Sequence, residues 1–580
     1  MRNKMSLVSL SLFTVSVFAS EQVADHVAPE FTSQIVSKQA VSANKYILTA
    51  ANPVAVSAGA KVLKRGGTAA DAAVVVQTVL GLVEPQSSGL GGGGFLVYYD
   101  AASQSLTTYD GRETAPLAAT PSLFQDANGQ PVKFFDAVVG GRSVATPATV
   151  KLLATIHRKY GKQSWSELHQ PAIALAQQGF IVSERLASAI ARDEARLKRY
   201  PDTQAYFFTP DGNPVAQGER LTNLEYAVTL EQIAKYGDAA FYQGQIATDI
   251  VNKVTNITDN PGVLSKDDFS IYRVVERDPV CAPYREYQIC GMGPPSSGAL
   301  TVGQILGMVS HFDLSALGAN SPVAWQIIGD ASRLAFADRG RYIADTDYVP
   351  MPEGLLDADY LAKRAAFITK GQALSSVSPG EPRWSQEIAL ADDDSIELPS
   401  TTHMVIVDQY GNIVSMTSTI ENGFGSRVMS NGFLLNNQLT DFSFVSHAQG
   451  YPIANRVEPG KRPRSSMAPT IVMKDGKPYM AIGSPGGSQI IGYVVKALIA
   501  HIDWGMDIQQ AIELPNMVNR FGTFDLEAGT EAEQMQQPLQ AMGFEVQVRD
   551  LNSGLHGVVF GDNIMLGGAD SRREGIVLGE

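Results

Sequence analysis

The sequence predicts an α+β fold in which helical layers enclose packed sheets, and three observations carry that reading. Ala- and Leu-rich segments with helical spacing fill residues 49–83 and 146–240, alternating strand-like runs crowd the stretch after Thr401, and residues 489–514 return to a helical pattern. Strands concentrated between helical regions suit helix–sheet–sheet–helix layering, because each element must bury its apolar face against another. The 580-residue chain is 44% hydrophobic and 18% charged, an ordinary globular composition able to bury a sizeable core.

In chain order, "MRNKMSLVSLSLFTVSVFASEQ" comes first. Arg2 and Lys4 precede an apolar run over residues 5–18, and Val17-Phe18-Ala19 supplies the small residues of a cleavage site. This is the pattern of a secretory signal peptide over residues 1–19, too short to span a bilayer. The charged flank disfavours the alternative, a buried N-terminal helix. No later segment reaches the ~18 apolar residues of a transmembrane helix, so the mature chain is expected to be periplasmic or secreted, with no membrane span.

Residues 49–83 read as two helices. "PVAVSAGAKVLKRGG" ends at Gly66-Gly67, and "TAADAAVVVQTVLGLV" starts on Thr68 with Asp71 three residues later, close to a capping box. A glycine run then feeds a strand in "SSGLGGGGFLVYYD". Residues 89–94 match the spacing of a dinucleotide fingerprint, but here a helix precedes and a strand follows, the reverse of what phosphate binding at a helix N-terminus requires. A tight turn packed close to a site is the expected use. Cys281 and Cys290 flank a Pro-containing turn and are expected to be structural; a cross-strand disulfide suits an oxidising compartment.

Residues 372–400 are polar, acidic and Pro-bearing and read as an exposed loop. From Thr401 the texture becomes strand-like in "HMVIVD", "NIVSMTSTI", "GFLLNN", "TIVMKDG" and "PYMAIGS", with residues 408–412 turning between the first two. Composition excludes one partner class. Lys plus Arg is 45 against 59 for Asp plus Glu, a formal charge of −14, so no basic surface for nucleic acid or an anionic membrane is expected. The eight histidines do not cluster at metal-ligand spacing, and neither metal nor cofactor is called for.

Four places could carry chemistry, each with an ordinary alternative. Arg112 in "DGRETAP" is a solvated turn residue or a carboxylate clamp. Ser465 and Ser466 sit between prolines just before a strand in "GKRPRSSMAPTIV". Gly486-Gly487 in "GSPGGSQ" is a strand-to-helix turn or an oxyanion hole built from backbone N–H groups. Thr401 is a strand-start residue or a nucleophile. An internal threonine needs a base, which His403 on the same strand face could supply. Alternatively, cleavage between Ser400 and Thr401 would free an α-amino group, with a reference pKa of about 7.7–8.0, to take the proton of its own hydroxyl.

Together "SSGLGGGGF", "DGRETAP", "PPSSGA", "TTHMVIVDQYGN", "NNQLTDFS", "KRPRSSMAPTIV" and "GSPGGS" occur in the order and approximate spacing of the gamma-glutamyltransferase (glutathione hydrolase) family, and the chain resembles that family over essentially its whole length after residue 19. The resemblance implies a four-layer αββα sandwich of the N-terminal-nucleophile hydrolase type, made as one precursor and self-cleaved before Thr401. Residues 20–400 would form a large subunit and 401–580 a small one, associated as a heterodimer within one folded unit. Thr401 would attack the γ-glutamyl carbonyl, Thr419 would hydrogen-bond the nucleophile, and Gly486 and Gly487 would hold the oxyanion. Arg112, Ser465 and Ser466 match positions that hold the donor's α-carboxylate, and Gln438 and Asp441 those that hold its α-ammonium.

Glutathione and other γ-glutamyl amides would be donors, with water, an amino acid or a dipeptide as acceptor. Glu421 stands where many members carry Asn. A carboxylate there still accepts from the ammonium, and it keeps open a glutaryl- or β-lactam-type acylase on the same fold. A non-enzymatic exported binding protein would share the fold but not the combination of Thr401, Thr419 and the Gly-Gly turn.

Overall fold

The computed structural model describes residue 32 and residues 36–580 except 394 and 396; the signal-peptide expectation lies outside the described residues. Two seven-stranded antiparallel sheets form the centre. In the first, the order is Ile576–Gly579, Ile47–Ala50, Thr402–Val407, Ile413–Thr419, Gly93–Asp100, Ser105–Gly111 and Val275–Arg277. In the second it is Val41–Ala43, Met565–Ala569, His556–Phe560, Lys477–Gly483, Thr470–Lys474, Tyr287–Gly291 and Val280–Tyr284. Segments from before and after residue 400 occur in both sheets, so the change of texture at 400 is not a domain boundary.

Side-chain alternation along the strands creates the layers. In Thr402–Val407, Met404 and Ile406 point into a core shared with the helices Pro53–Lys64, Ala69–Val83 and Thr149–Tyr160, while Val405 and Val407 point the other way. There they meet Ile471, Ala481 and Val558 of the second sheet in a thin apolar layer between the sheets. The outer face of the second sheet is covered by Gly298–Val309, Pro322–Tyr342 and Ile490–Ile502. The architecture is the expected αββα sandwich.

Helix Ala69–Val83 is buried along its whole length, as an all-round apolar helix must be, and the expected capping box holds its start. The Thr68 N–H donates to Asp71 Oδ2 at 2.9 Å and the Asp71 N–H to Thr68 Oγ1 at 3.2 Å. Cys281 and Cys290 form a disulfide between adjacent strands. Among the described residues no helix is long and apolar enough to cross a membrane.

Two expectations need correction. "GFLLNN" yields only the short strand Phe433–Leu434, outside both main sheets. The acidic loop is not exposed to its end: Asp393, Glu397 and Ser400 are buried. The two carboxylates are not forced outward because arginines reach them, Arg464 at Asp393 and Arg339 at Glu397.

Candidate active site

Strand register assembles the centre of the site. Thr402 pairs with Ser418, so one step further along the antiparallel pair Thr401 comes opposite Thr419, with their hydroxyl oxygens 3.4 Å apart. Thr419 Oγ1 donates to the Ser400 carbonyl at 2.8 Å and accepts from the Glu421 N–H at 2.8 Å. Arg573 Nη1 donates to the Thr401 carbonyl at 3.1 Å, and Ser400 Oγ to the Gln86 carbonyl at 2.7 Å. The Ser400–Thr401 peptide is therefore gripped from both sides. The glycine run lies directly behind it: a Cβ on Gly92 would sit 2.0 Å from the Thr419 carbonyl oxygen, so only glycine permits that approach. This is the close-packed turn expected from the sequence, and strand Gly93–Asp100 follows it, which removes the dinucleotide reading.

Thr401 lines a narrow cleft together with Arg112, Glu397, Leu398, Thr419, Glu421, Gln438, Asp441, Ser465, Ser466 and Gly487. Ten expected site residues thus reduce to nine that meet there. Gly486 does not line the cleft; it packs against the Tyr493 ring with φ 131°, and Gly487, with φ 56°, reaches the cleft beyond it. Both conformations favour glycine.

Arg112 is not a solvated turn residue. It is 1% exposed, and its Nη2 donates to Asp441 Oδ2 at 2.5 Å and to the Arg464 carbonyl at 2.8 Å. Gln438 Nε2 donates to the same Asp441 oxygen at 2.6 Å. Asn437 Nδ2 donates to Glu421 Oε2. Beyond these bonds, Glu421 Oε1, Gln438 Oε1 and Asp441 Oδ1 are buried with no hydrogen-bond partner among the described residues. Glu421 itself has φ 78°, a left-handed backbone that is costly for a side-chain-bearing residue and recurs at functional sites. Burial, reinforced by the neighbouring Asp441 charge, pushes the Glu421 carboxyl well above the usual carboxylate range. Burial also raises Asp441, opposed by Arg112, to about 6.

His403 is not positioned as a base. Its Nδ1 is 2.8 Å from Thr417 Oγ1, its ring packs on Gly483 between the sheets, and it does not line the cleft. Burial holds its pKa down at about 3, leaving it neutral.

Sequence reading missed Glu397, Arg339 and Asn437. Glu397 is the one acidic residue among the four that precede Thr401, which is a weak signal. Asn437 lies inside the "NNQLTDFS" motif. Arg339 lies in helix Pro322–Tyr342, and nothing in the local pattern marks it.

Comparison with known proteins agrees with this geometry. The family model "Gamma-glutamyltranspeptidase" matches residues 55–580. The chain is 36% identical over 546 residues to the glutathione hydrolase proenzyme of Bacillus subtilis strain 168, covering 92% of this chain and 91% of that one. It is 32% identical over 558 residues to the Acylase ACY 1 proenzyme of Pseudomonas sp. strain V22, covering 94% and 96%. The structure superposes on a cephalosporin acylase from Bacillus halodurans with a TM-score of 0.83 at 24% identity, over 94% of this chain and 97% of that one, a likeness of fold.

Proposed function

The chain belongs to the gamma-glutamyltranspeptidase family, and from that premise we propose that it cleaves itself before Thr401 and then hydrolyses or transfers γ-glutamyl groups from glutathione and related amides. The observation that carries the donor class is the trio of unpartnered oxygens, Glu421 Oε1, Gln438 Oε1 and Asp441 Oδ1, in the cleft that Thr401 lines. A primary ammonium brings three N–H donors and a positive charge. Leaving such acceptors buried and empty costs ~1–3 kcal/mol each, which a γ-glutamyl donor relieves and a des-amino acyl group does not.

In the precursor, Thr401 Oγ1 adds to the Ser400 carbonyl carbon, and the Thr419 hydroxyl bonded to that carbonyl oxygen stabilises the developing negative charge. The C–N bond breaks as the hydroxyl proton passes to the Thr401 backbone nitrogen, the acyl group is left on Thr401 as an ester, and water hydrolyses it. This leaves a carboxylate on Ser400 and a free amine on Thr401. That amine then takes the Thr401 hydroxyl proton as the oxygen attacks the donor's γ-carbonyl. The backbone N–H of Gly487, which reaches the cleft, holds the oxyanion, and Arg112, Ser465 and Ser466 hold the donor carboxylate. The departing amine takes the proton, and water, an amino acid or a dipeptide releases the γ-glutamyl ester. Residues 20–400 and 401–580 stay together because both sheets contain strands from each. A signal peptide over 1–19 would direct the chain to the periplasm or medium, where the Cys281–Cys290 disulfide is at home.

The test is intact mass with N-terminal sequencing. We expect two chains, the smaller starting Thr-Thr-His-Met, and a Thr401→Ala chain that stays whole and loses at least ~10³-fold of its amidase activity. Splitting of Thr401→Ala at the same bond would sink the self-cleavage chemistry. Faster hydrolysis of a glutaryl anilide than of the γ-glutamyl anilide would favour the acylase reading instead.

A further inference from the structure

The free volume of the cleft is about 20 Å³, room for roughly one water. The chain itself fills the rest. A Cβ on Gly487 would lie 2.9 Å from the Leu398 carbonyl and 3.0 Å from the Glu397 carbonyl oxygen, so the segment before Thr401 lies on the Gly-Gly turn. The Glu397 side chain enters the cleft, where Arg339 Nη2 donates to Oε1, Ser466 Oγ donates to Oε2 at 2.6 Å, and Arg464 Nε stands 3.9 Å from Oε1. Arg339 is 2% exposed, and its remaining bonds brace the same place, from Nη2 to Ser466 Oγ at 2.8 Å and from Nε to Ser297 Oγ at 2.8 Å.

Glu397 lies four residues from the proposed cut and blocks the space any substrate must use, so it has to leave before turnover. Its departure strands Arg339 in a buried site without its anion, and an uncompensated buried charge costs several kcal/mol. We propose that Arg339, with Ser466, binds a carboxylate of the donor, and that Glu397 occupies that subsite in the uncleaved chain as a built-in ligand. This rests on the reading of Ser400–Thr401 as the cleaved bond. Arg339 thereby joins Arg112, Ser465 and Ser466 as a carboxylate contact, Arg112 also bonding Asp441 and two backbone carbonyls. Once cut, the large chain ends in Glu-Leu-Pro-Ser, a sequence able to return to the cleft.

Two measurements on the processed enzyme decide it. Acetyl-Glu-Leu-Pro-Ser should inhibit competitively against the γ-glutamyl anilide, and acetyl-Gln-Leu-Pro-Ser should bind at least ~10-fold more weakly, because the charged pair is lost. Arg339→Gln should raise KM for the γ-glutamyl anilide by ~10-fold or more with a smaller change in kcat, and leave KM unchanged for the same anilide with its α-carboxylate capped as an amide. Equal inhibition by the two peptides, no inhibition by either, or an equal loss on both donors overturns the subsite. Should Arg339→Gln not fold, the peptide pair decides alone on unaltered enzyme. Failure of the cleavage reading shows separately, as an unsplit wild-type chain or a splitting Thr401→Ala.

Discussion

At one end of the cleft Arg339 and Ser466 close on the carboxylate of Glu397; at the other, Glu421, Gln438 and Asp441 each keep a buried oxygen with no partner among the described residues. The same chain supplies an internal carboxylate for its cationic half, whereas in the acidic half Arg112, Gln438 and Asn437 engage one oxygen each of Asp441 and Glu421 and leave the other without a partner among the described residues. Burying a guanidinium without an anion is more costly than burying an acceptor without a donor, and the acidic half has a second way to limit its cost. A carboxyl group can keep its proton when buried, as the raised pKa values of Glu421 and Asp441 indicate, whereas arginine cannot shed its charge.

The largest expected effect that would break this contrast is at Asp441. Asp441→Asn should lower kcat/KM for a γ-glutamyl anilide by ~10–100-fold, the worth of a charged hydrogen bond, and affect the glutaryl analogue much less. Equal losses on both donors would mean that Asp441 serves only to hold Arg112. Next in size is a pH effect. Asp441, raised to about 6 by burial, is neutral below that value and charged above it, so the preference for γ-glutamyl over glutaryl donors should fall by up to ~10-fold per pH unit on acidification below 6. Taking the ratio of the two donors cancels titration of the Thr401 amine, and a flat ratio between pH 5 and 8 contradicts the assignment. Burial and the neighbouring Asp441 charge favour the neutral form of Glu421, which offers a neutral hydrogen bond. Glu421→Gln should therefore cost less than ~10-fold on the γ-glutamyl donor. A loss exceeding that of Asp441→Asn would reverse the roles of the two carboxyls. Smallest is His403→Gln, expected to leave kcat/KM within ~2-fold while lowering stability by ~1 kcal/mol or more in urea unfolding, through the lost bond to Thr417. Loss of activity in a folded His403→Gln enzyme would restore that histidine as the base.

Local chemistry was readable wherever neighbours in sequence are neighbours in space. The Thr68–Asp71 box, the turn at 408–412 and the two strands it joins all follow from spacing and alternation. So does the rejection of a nucleotide role for residues 89–94, because the order of helix and strand is visible in the chain. Arg339 was not readable, since it lies 58 positions from Glu397 and 127 from Ser466 and only helix packing brings them together. The burial of Glu397 was misread for a related reason. An acidic, Pro-bearing stretch resembles a solvated loop until the arginines that neutralise it are located.

By itself, then, the sequence determined the layered α+β class and the strand that carries Thr401, because periodicity and turn chemistry act over a few residues, while the resemblance of its motifs to the family implied most of the residues that meet around Thr401. Tertiary structure decided which charges face which: Arg112 with Asp441, Arg339 with Glu397, His403 sealed between the sheets, and Gly487 rather than Gly486 at the cleft. Those pairings join residues up to 329 positions apart, and electrostatic energy depends on distance in space and on burial, neither of which a linear pattern contains.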